Sequence, residues 1–355
     1  MSRPVRPIDR DFIASRTRFL AAAQSVGAEI EEIVHPLDGP NGERLSADVA
    51  LIGDEGAKAM LVLITGVHGV EHYAGSACIC EWMEQLDVGN LPAGLAVLGV
   101  HAINPWGAAW CRRYTEDNVD LARNFIDFDR STESHEAYEG VHGDLAEMKQ
   151  GQAEAIVTQL SERLGEQGAI EALMRGQYSH PDGFSFGGHK PTWSNRTITS
   201  LLTRYGAYAE RFGIVEFHSG LGPWAEVLPV SMHTGSALER VRSVYGDGVI
   251  APRVEEGRHS APGHTTDGYL SVLEGREVTS IVLEFGTYPP SRSLPVLLED
   301  HRVHTQGLAK SPAGREVAAA NLEMHCPADH EWQRTIISRG MGMIERSIEG
   351  LEKCH

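Results

Sequence analysis

The sequence predicts an α/β protein, a mixed or mostly parallel sheet with helices on its faces. Three features carry that reading. Short apolar runs alternate with longer helical segments, the order expected of strands joined by helical crossovers. The run AMLVLIT at 59–65 is apolar at six of its positions, on both faces, which suits a central strand covered from both sides. No repeat, low-complexity tract or clean linker interrupts the pattern, so residues 1–355 read as a single domain.

Taken in order, residues 10–25 (RDFIASRTRFLAAAQS) form an amphipathic helix with Phe12, Ile13, Phe19 and Leu20 inward. Strands follow at 29–34, 48–53 and 59–65. The last of these stops at Gly66, and a helix begins near Val70 and runs to about Leu86. Leu95 to Ala102 is a further apolar strand, ended by Asn104-Pro105. Residues 143–175 have a helical composition, and 176–196, rich in glycine, proline and aromatics, is a long structured loop. Loops of that length within a compact domain are usually functional, and this one is expected to shape a pocket as part of a segment at about 126–200. GIVEF at 213–217 and TSIVLEF at 279–285 are two more strands, and 313–349 is mostly helix.

Composition narrows the function. The 355 residues carry 31 basic and 49 acidic side chains, a net charge of −18, with 41% hydrophobic and 23% charged residues. That is an ordinary globular balance. So acidic a chain lacks the basic face needed for nucleic acid or an anionic membrane, and no apolar run is long enough to span a bilayer. The opening residues MSRPVRPIDRDF have no apolar stretch behind their arginines, so they do not read as a secretory signal. Cys78, Cys80, Cys111, Cys326 and Cys354 are odd in number and show no CxxC spacing. Three lie in apolar segments and read as small buried hydrophobes, and the expected compartment is a reducing cytoplasm.

The strongest local signal is Gly66-Val67-His68-Gly69-Val70-Glu71, between a buried strand and a helix. A histidine and a glutamate three apart there can both face a point beyond the strand's carboxyl end, where open α/β sheets bind ligands. Imidazole and carboxylate are normal zinc ligands, and a catalytic zinc takes three protein ligands and a water. His218, ending the run Ile214–Phe217 and entering a glycine-rich turn, fits as the third. His101 ends another strand but has no second ligand beside it, and His72 points to a different helix face. Hydrolysis by an activated water also needs a general base. Glu284 follows three branched apolar residues, and a carboxylate buried in such a place needs a reason. Arg112, Arg113 and Arg123, within twelve residues of an acidic chain, suggest recognition of a carboxylate or an oxyanion.

The ordered series HGVE, NPWG, RR, EDNVDLARNF, FHSG and LEFGT resembles the zinc carboxypeptidase A superfamily, which includes aspartoacylase and succinylglutamate desuccinylase, over residues 60–290. GVHGVEHYAGSA, the loop GQY…PDG…FGG…PTWSNRT and FHSGLGPW resemble more narrowly a largely uncharacterised bacterial branch of it. The resemblance implies a mostly parallel twisted sheet of eight or so strands with helices on both faces. It implies one zinc per chain, held by His68, Glu71 and His218, with Asp120 holding the ring of His68. Arg113, or Arg112, would polarise the scissile carbonyl, and Glu284 would move the proton from water to the leaving amine. Arg123, with Asn124 beside it, would grip a substrate carboxylate. The superfamily's Asn-Arg pair is Ala122-Arg123 here, so one anchoring side chain is missing. The tyrosine that covers the site in carboxypeptidases has three candidates: Tyr178, Tyr269 and Tyr288.

The expected activity is cleavage of an amide or peptide bond in a small substrate. The alternatives are a deacylase of N-acyl amino acids and a non-catalytic metal-binding protein. A serine hydrolase is disfavoured because no GxSxG elbow is present. The implied partner is a small peptide or N-acyl amino acid, with oligomerisation left open.

Overall fold

A computed structural model describes residues 5–130, 132, 134–255 and 261–353; Cys354 lies outside them. The chain runs α1 (Phe12–Ser25), β1 (Glu29–Val34), β2 (Ser46–Ile52), β3 (Ala59–Thr65), α2 (His72–Gln85), β4 (Leu95–His101) and α3 (Pro105–Ala109). Then come α4 (Glu136–Ala146), α5 (Ala153–Leu164), α6 (Glu166–Met174) and α7 (Trp193–Tyr205). These lead to β5 (Arg211–Ser219), β6 (Val227–Val230), α8 (Gly235–Tyr245), α9 (Pro252–Glu255) and α10 (Thr265–Val272). The remainder is β7 (Glu277–Phe285), α11 (Pro290–Thr305), α12 (Pro312–His325) and α13 (His330–Lys353).

The strands form one mixed sheet in the order β1-β2-β4-β3-β5-β7-β6. Its centre, β4-β3-β5-β7, is parallel, and the pairings toward both edges are antiparallel. All seven residues of β3 are buried. Their alternation divides them between two cores. Leu61 and Leu63 pack with Phe19, Tyr73 and Trp332 on one face, while Met60, Val62 and Ile64 pack with Ile198 and Leu201 on the other. A third core, built around Tyr138, Leu160, Leu173 and Leu298, joins α4, α5 and α6 to α11 beside the sheet.

Several boundaries differ from the sequence reading for local reasons. The sheet has seven strands among the described residues, not eight or so. Its short edge strand β6 contains Pro229, which hides the strand in the sequence. The helical stretch 143–175 is three helices; Gly165, at φ 76°, turns the chain between α5 and α6. In α1, capped by Asp11, Phe12 and Phe19 are buried seven residues apart, whereas Ile13 lies a further 100° around the helix and is 43% exposed. Cys78, Cys80 and Cys326 are buried and unpaired, and Cys111 is half-buried. No helix among the described residues is long and apolar enough to cross a membrane.

Candidate metal centre and active site

The sheet delivers the candidate residues to one edge. β3, β5 and β7 run parallel and end together, and the register sets His218 of β5 directly beside Glu284 of β7. Beyond β3, the chain turns at Gly66 into a single 3₁₀ turn, Gly69–Glu71, ahead of α2. A side chain at Gly69 would collide with the backbone of Gly107 and Ala108, so only glycine allows this approach. The amides of Gly69 and Val70 donate to the carbonyls of Arg113 (3.2 Å) and Arg112 (2.9 Å), strapping the arginine segment over the turn.

His68, Glu71 and His218 are all buried, and their candidate ligand atoms lie within 4.8 Å of one another. Nδ1 of His68 faces Glu71 Oε1 at 3.1 Å, and this buried atom has no hydrogen-bond partner. Nδ1 of His218 is 3.0 Å from Glu71 Oε2, which also accepts from the amide of Ser219 at 3.2 Å. The opposite ring nitrogens are held from behind: Nε2 of His68 is 3.0 Å from Asp120 Oδ1, and Nε2 of His218 is 2.6 Å from Glu216 Oε1. Two imidazoles fixed by carboxylates, with their Nδ1 atoms turned to a third carboxylate, form a donor set that fits zinc.

Burial alone would raise the carboxyl of Glu71, but His68, Arg113 and His218 bring it well below the usual range. Asp120 is likewise held low against burial by His68 and Arg113. Burial opposes charge on His218, yet Glu216 and Glu71 raise it well above an ordinary histidine. Glu284 behaves differently. Burial, helped by Glu71, pushes it up to about 7 in spite of His218, His68 and Arg113.

The arginines part ways. Arg113 donates to Glu71 Oε1 at 2.7 Å, lies 3.6 Å from Asp120 and borders the pocket. Arg112, its alternative as the carbonyl-polarising group, turns away: it donates to Asn118 (2.6 Å), lies 3.5 Å from Asp300, and packs on Trp106 and Tyr114. Adjacent residues in an irregular segment point to opposite sides, and the strap over Gly69 and Val70 decides which faces the pocket. Arg123 borders the pocket, but its guanidinium donates to the carbonyls of Met174, Arg175 and Ala122 and closes the end of α6. Asn124 is fully buried away from the pocket. Its amide donates to the carbonyls of Gly187 and Lys190 and accepts from the amide of Thr192, so it braces a loop and is not placed to bind substrate.

That loop, residues 176–196, does not line the pocket as its length suggested. The wall is the preceding helix α6, through Gln167, Ile170, Glu171 and Met174. The loop lies behind, with Phe186 O accepting from the amide of Asp120 at 2.7 Å. None of the three candidate tyrosines covers the site. Tyr269 donates to Glu216 (2.6 Å), Tyr178 to the carbonyl of Arg123 (2.6 Å), and Tyr288 to Glu323 (3.2 Å). His101 and His72 are buried together elsewhere, their rings edge to face 4.3 Å apart.

Sequence reasoning passed over Glu216. It sits two residues before His218, on the same face of β5, and is pinned by Tyr269 and by Thr265 at 3.0 Å. A lone glutamate inside an apolar strand, at spacing two from a candidate ligand, was the available signal. A second group, His142, His180 and Asp182, also clusters among the described residues. It is more exposed, and its two rings are stacked 3.6 Å apart.

A family model described as a protein of unknown function (DUF2817) matches residues 9–339. The chain belongs to this family. Among curated proteins, none matches it. Solved structures similar to this DUF2817 member include carboxypeptidase A from Helicoverpa armigera, with 12% identity over 88% of this chain and 73% of that one, at a TM-score of 0.47. Murein-tripeptide amidase MpaA from Escherichia coli O157 is 14% identical over 78% of this chain and 93% of that one, at a TM-score of 0.41. Succinylglutamate desuccinylase from Chromobacterium violaceum is 16% identical over 88% of this chain and 77% of that one, at a TM-score of 0.38.

Proposed function

We propose that the protein is a zinc-dependent hydrolase of an amide bond in a small substrate. The observation that carries the reading is the convergence of the His68 and His218 Nδ1 atoms on Glu71, with Glu284 and Arg113 bordering the same space. A zinc ion held by these three residues supplies Lewis acidity toward a carbonyl and makes a water more acidic.

The chain's own groups do the rest. Asp120 and Glu216 fix the imidazoles in one orientation and tautomer. Glu284, pushed up to about 7, accepts a proton from the attacking water and returns it to the departing amine nitrogen. Arg113, already charged and buried beside the site, donates to the carbonyl oxygen as negative charge develops there. With the Arg123 guanidinium engaged by three backbone carbonyls and Ala122 beside it, Arg123 is not placed to grip a substrate carboxylate, whether of a peptide or of an N-acyl amino acid.

The test pairs metal content with turnover. Wild-type protein purified without chelators is expected to hold about one zinc per chain, and His218→Ala to lose it. Glu284→Gln is expected to keep the metal and lose at least 100-fold in turnover on amide substrates. Near-normal turnover by Glu284→Gln, or zinc retained in full by His218→Ala, would overturn the assignment.

A further inference from the structure

Two cavities meet at the candidate centre. One, of about 320 Å³, sets Arg113, Arg123, Arg175, Glu171 and Glu216 among apolar residues such as Met232 and Val282. The other, of about 230 Å³, opens on the side of Gly220 and α11 and is walled by Ile170, Met174, Leu221, Pro290, Leu294 and Leu297. Both include His68, Arg113 and Glu284, so each reaches the same reacting point. Ile170 and Met174, four residues apart on one face of α6, border both and form the ridge between them.

The second cavity grades from its mouth inward. Leu221 at the rim is 53% exposed, while Leu294 and Leu297 at the wall are buried. Apart from the shared centre, its polar members are two serines, Ser219 and Ser293, and His325, whose Nδ1 is engaged with the carbonyl of Asn321 at 2.9 Å. Beyond Glu71 and the shared His68, Arg113 and Glu284, the cavity's lining holds no carboxylate, lysine or arginine. A hydrolysable amide of an amino acid has one half that bears a carboxylate and one that need not. The first cavity, with Arg175 and Gln167 on its border, suits the charged half, which leaves the aliphatic cavity for the acyl chain.

We propose that the substrate is an N-acyl amino acid with an aliphatic acyl chain of medium length, and that Ile170, Met174, Leu221, Leu294 and Leu297 form its acyl pocket. The proposal rests on the amide-hydrolase reading above. In the reaction the C–N bond breaks and the water oxygen is added to the acyl carbon. Both water protons end on the departing nitrogen, one passed through Glu284 and the other lost by the new carboxylic acid, leaving a free carboxylate and an ammonium at neutral pH. Each methylene moved from water into an aliphatic wall strengthens binding about fourfold, until the cavity is full.

The experiment is a series of N-acyl derivatives of one amino acid, from acetyl to decanoyl, with kcat/KM measured by amino-acid release on the zinc-loaded enzyme. Binding of the same series to Glu284→Gln is measured by calorimetry. The expected result is a rise of about two- to fourfold per methylene in both measurements, followed by a plateau. Leu294→Phe is expected to shorten the chain length at which the plateau begins. Leu221→Ser, at an exposed position, is expected to weaken the gain for the longest chains. Hydrolysis that is flat or falling with chain length would overturn the acyl pocket and leave the amide-hydrolase reading standing. No hydrolysis of any member, with binding that still climbs with chain length, would overturn the hydrolase reading and uphold the pocket. Binding indifferent to chain length would overturn the pocket in either case.

Discussion

At the scale of single residues, the orientation of His218 depends on Glu216, which sits 2.6 Å from its Nε2 and is itself fixed by Tyr269 and Thr265. Removing a carboxylate that orients a metal-binding imidazole typically weakens metal affinity 10- to 100-fold. Glu216→Ala is therefore expected to bind zinc about 10- to 100-fold more weakly in competition with a chromophoric chelator. Glu216→Gln, which can still accept from Nε2, should recover most of the loss; an alanine variant with wild-type affinity would show that His218 needs no such support. The candidate ligands were legible because His68, Glu71 and His218 stand at the ends of apolar runs, where few polar residues occur. Glu216 was not, because a glutamate inside such a run is equally the mark of a buried ion pair. The choice between Arg112 and Arg113 was illegible for a different reason. In an irregular segment side-chain direction follows no period, and here it is set by amide bonds from Gly69 and Val70.

At the scale of elements, strand ends were easy to read and helix walls were not. β3, β5 and β7 are marked by continuous apolar runs, and their shared register follows from parallel pairing. The role of α6 could not be read in the same way. Its pocket face, Ile170, Glu171 and Met174, matters only because Arg123 and the third core hold the helix beside the sheet. The Arg123 guanidinium bonds to the carbonyls of Met174 and Arg175 at 2.9 Å each, where a helix leaves its last carbonyls unpaired. Hydrogen bonds to a charged group contribute about 1.5–3 kcal/mol each, so Arg123→Ala is expected to lower stability by about 2–3 kcal/mol in denaturant unfolding. It should also depress kcat/KM by the same factor on a substrate with a free carboxylate and on the matching amide, since both meet the same displaced wall. A loss confined to the carboxylate substrate would instead make Arg123 a direct anchor.

At the scale of the whole molecule, the sheet and its two covering layers follow from strand alternation, whereas the third core joins 136–174 to 290–305 across more than a hundred residues. Nothing local announces that union, and the prolines Pro290 and Pro295 obscure α11 itself. This core and its border hold buried titratable groups that oppose one another. Burial drives His301 down to about 3 and pushes Asp300 up to about 7. The signs follow from proton uptake. Below about pH 6.5 an unfolded chain protonates His301 and the folded one does not, so this group's stabilisation is present above that pH and lost as pH falls toward 3. Asp300 works the other way: the folded chain keeps its proton up to about pH 7, so its contribution is full below about pH 4 and lost as pH rises through 7. The two nearly cancel in the wild-type curve, and a single substitution should expose the hidden slope. For His301→Asn, the stability of the wild type relative to the variant is expected to fall by about 2 kcal/mol between pH 7 and pH 5, at about 1.4 kcal/mol per pH unit below 6.5. Urea unfolding at four or five pH values measures this difference directly. A difference that stays constant across that range would mean that His301 takes up its proton in the folded chain as readily as in the unfolded one.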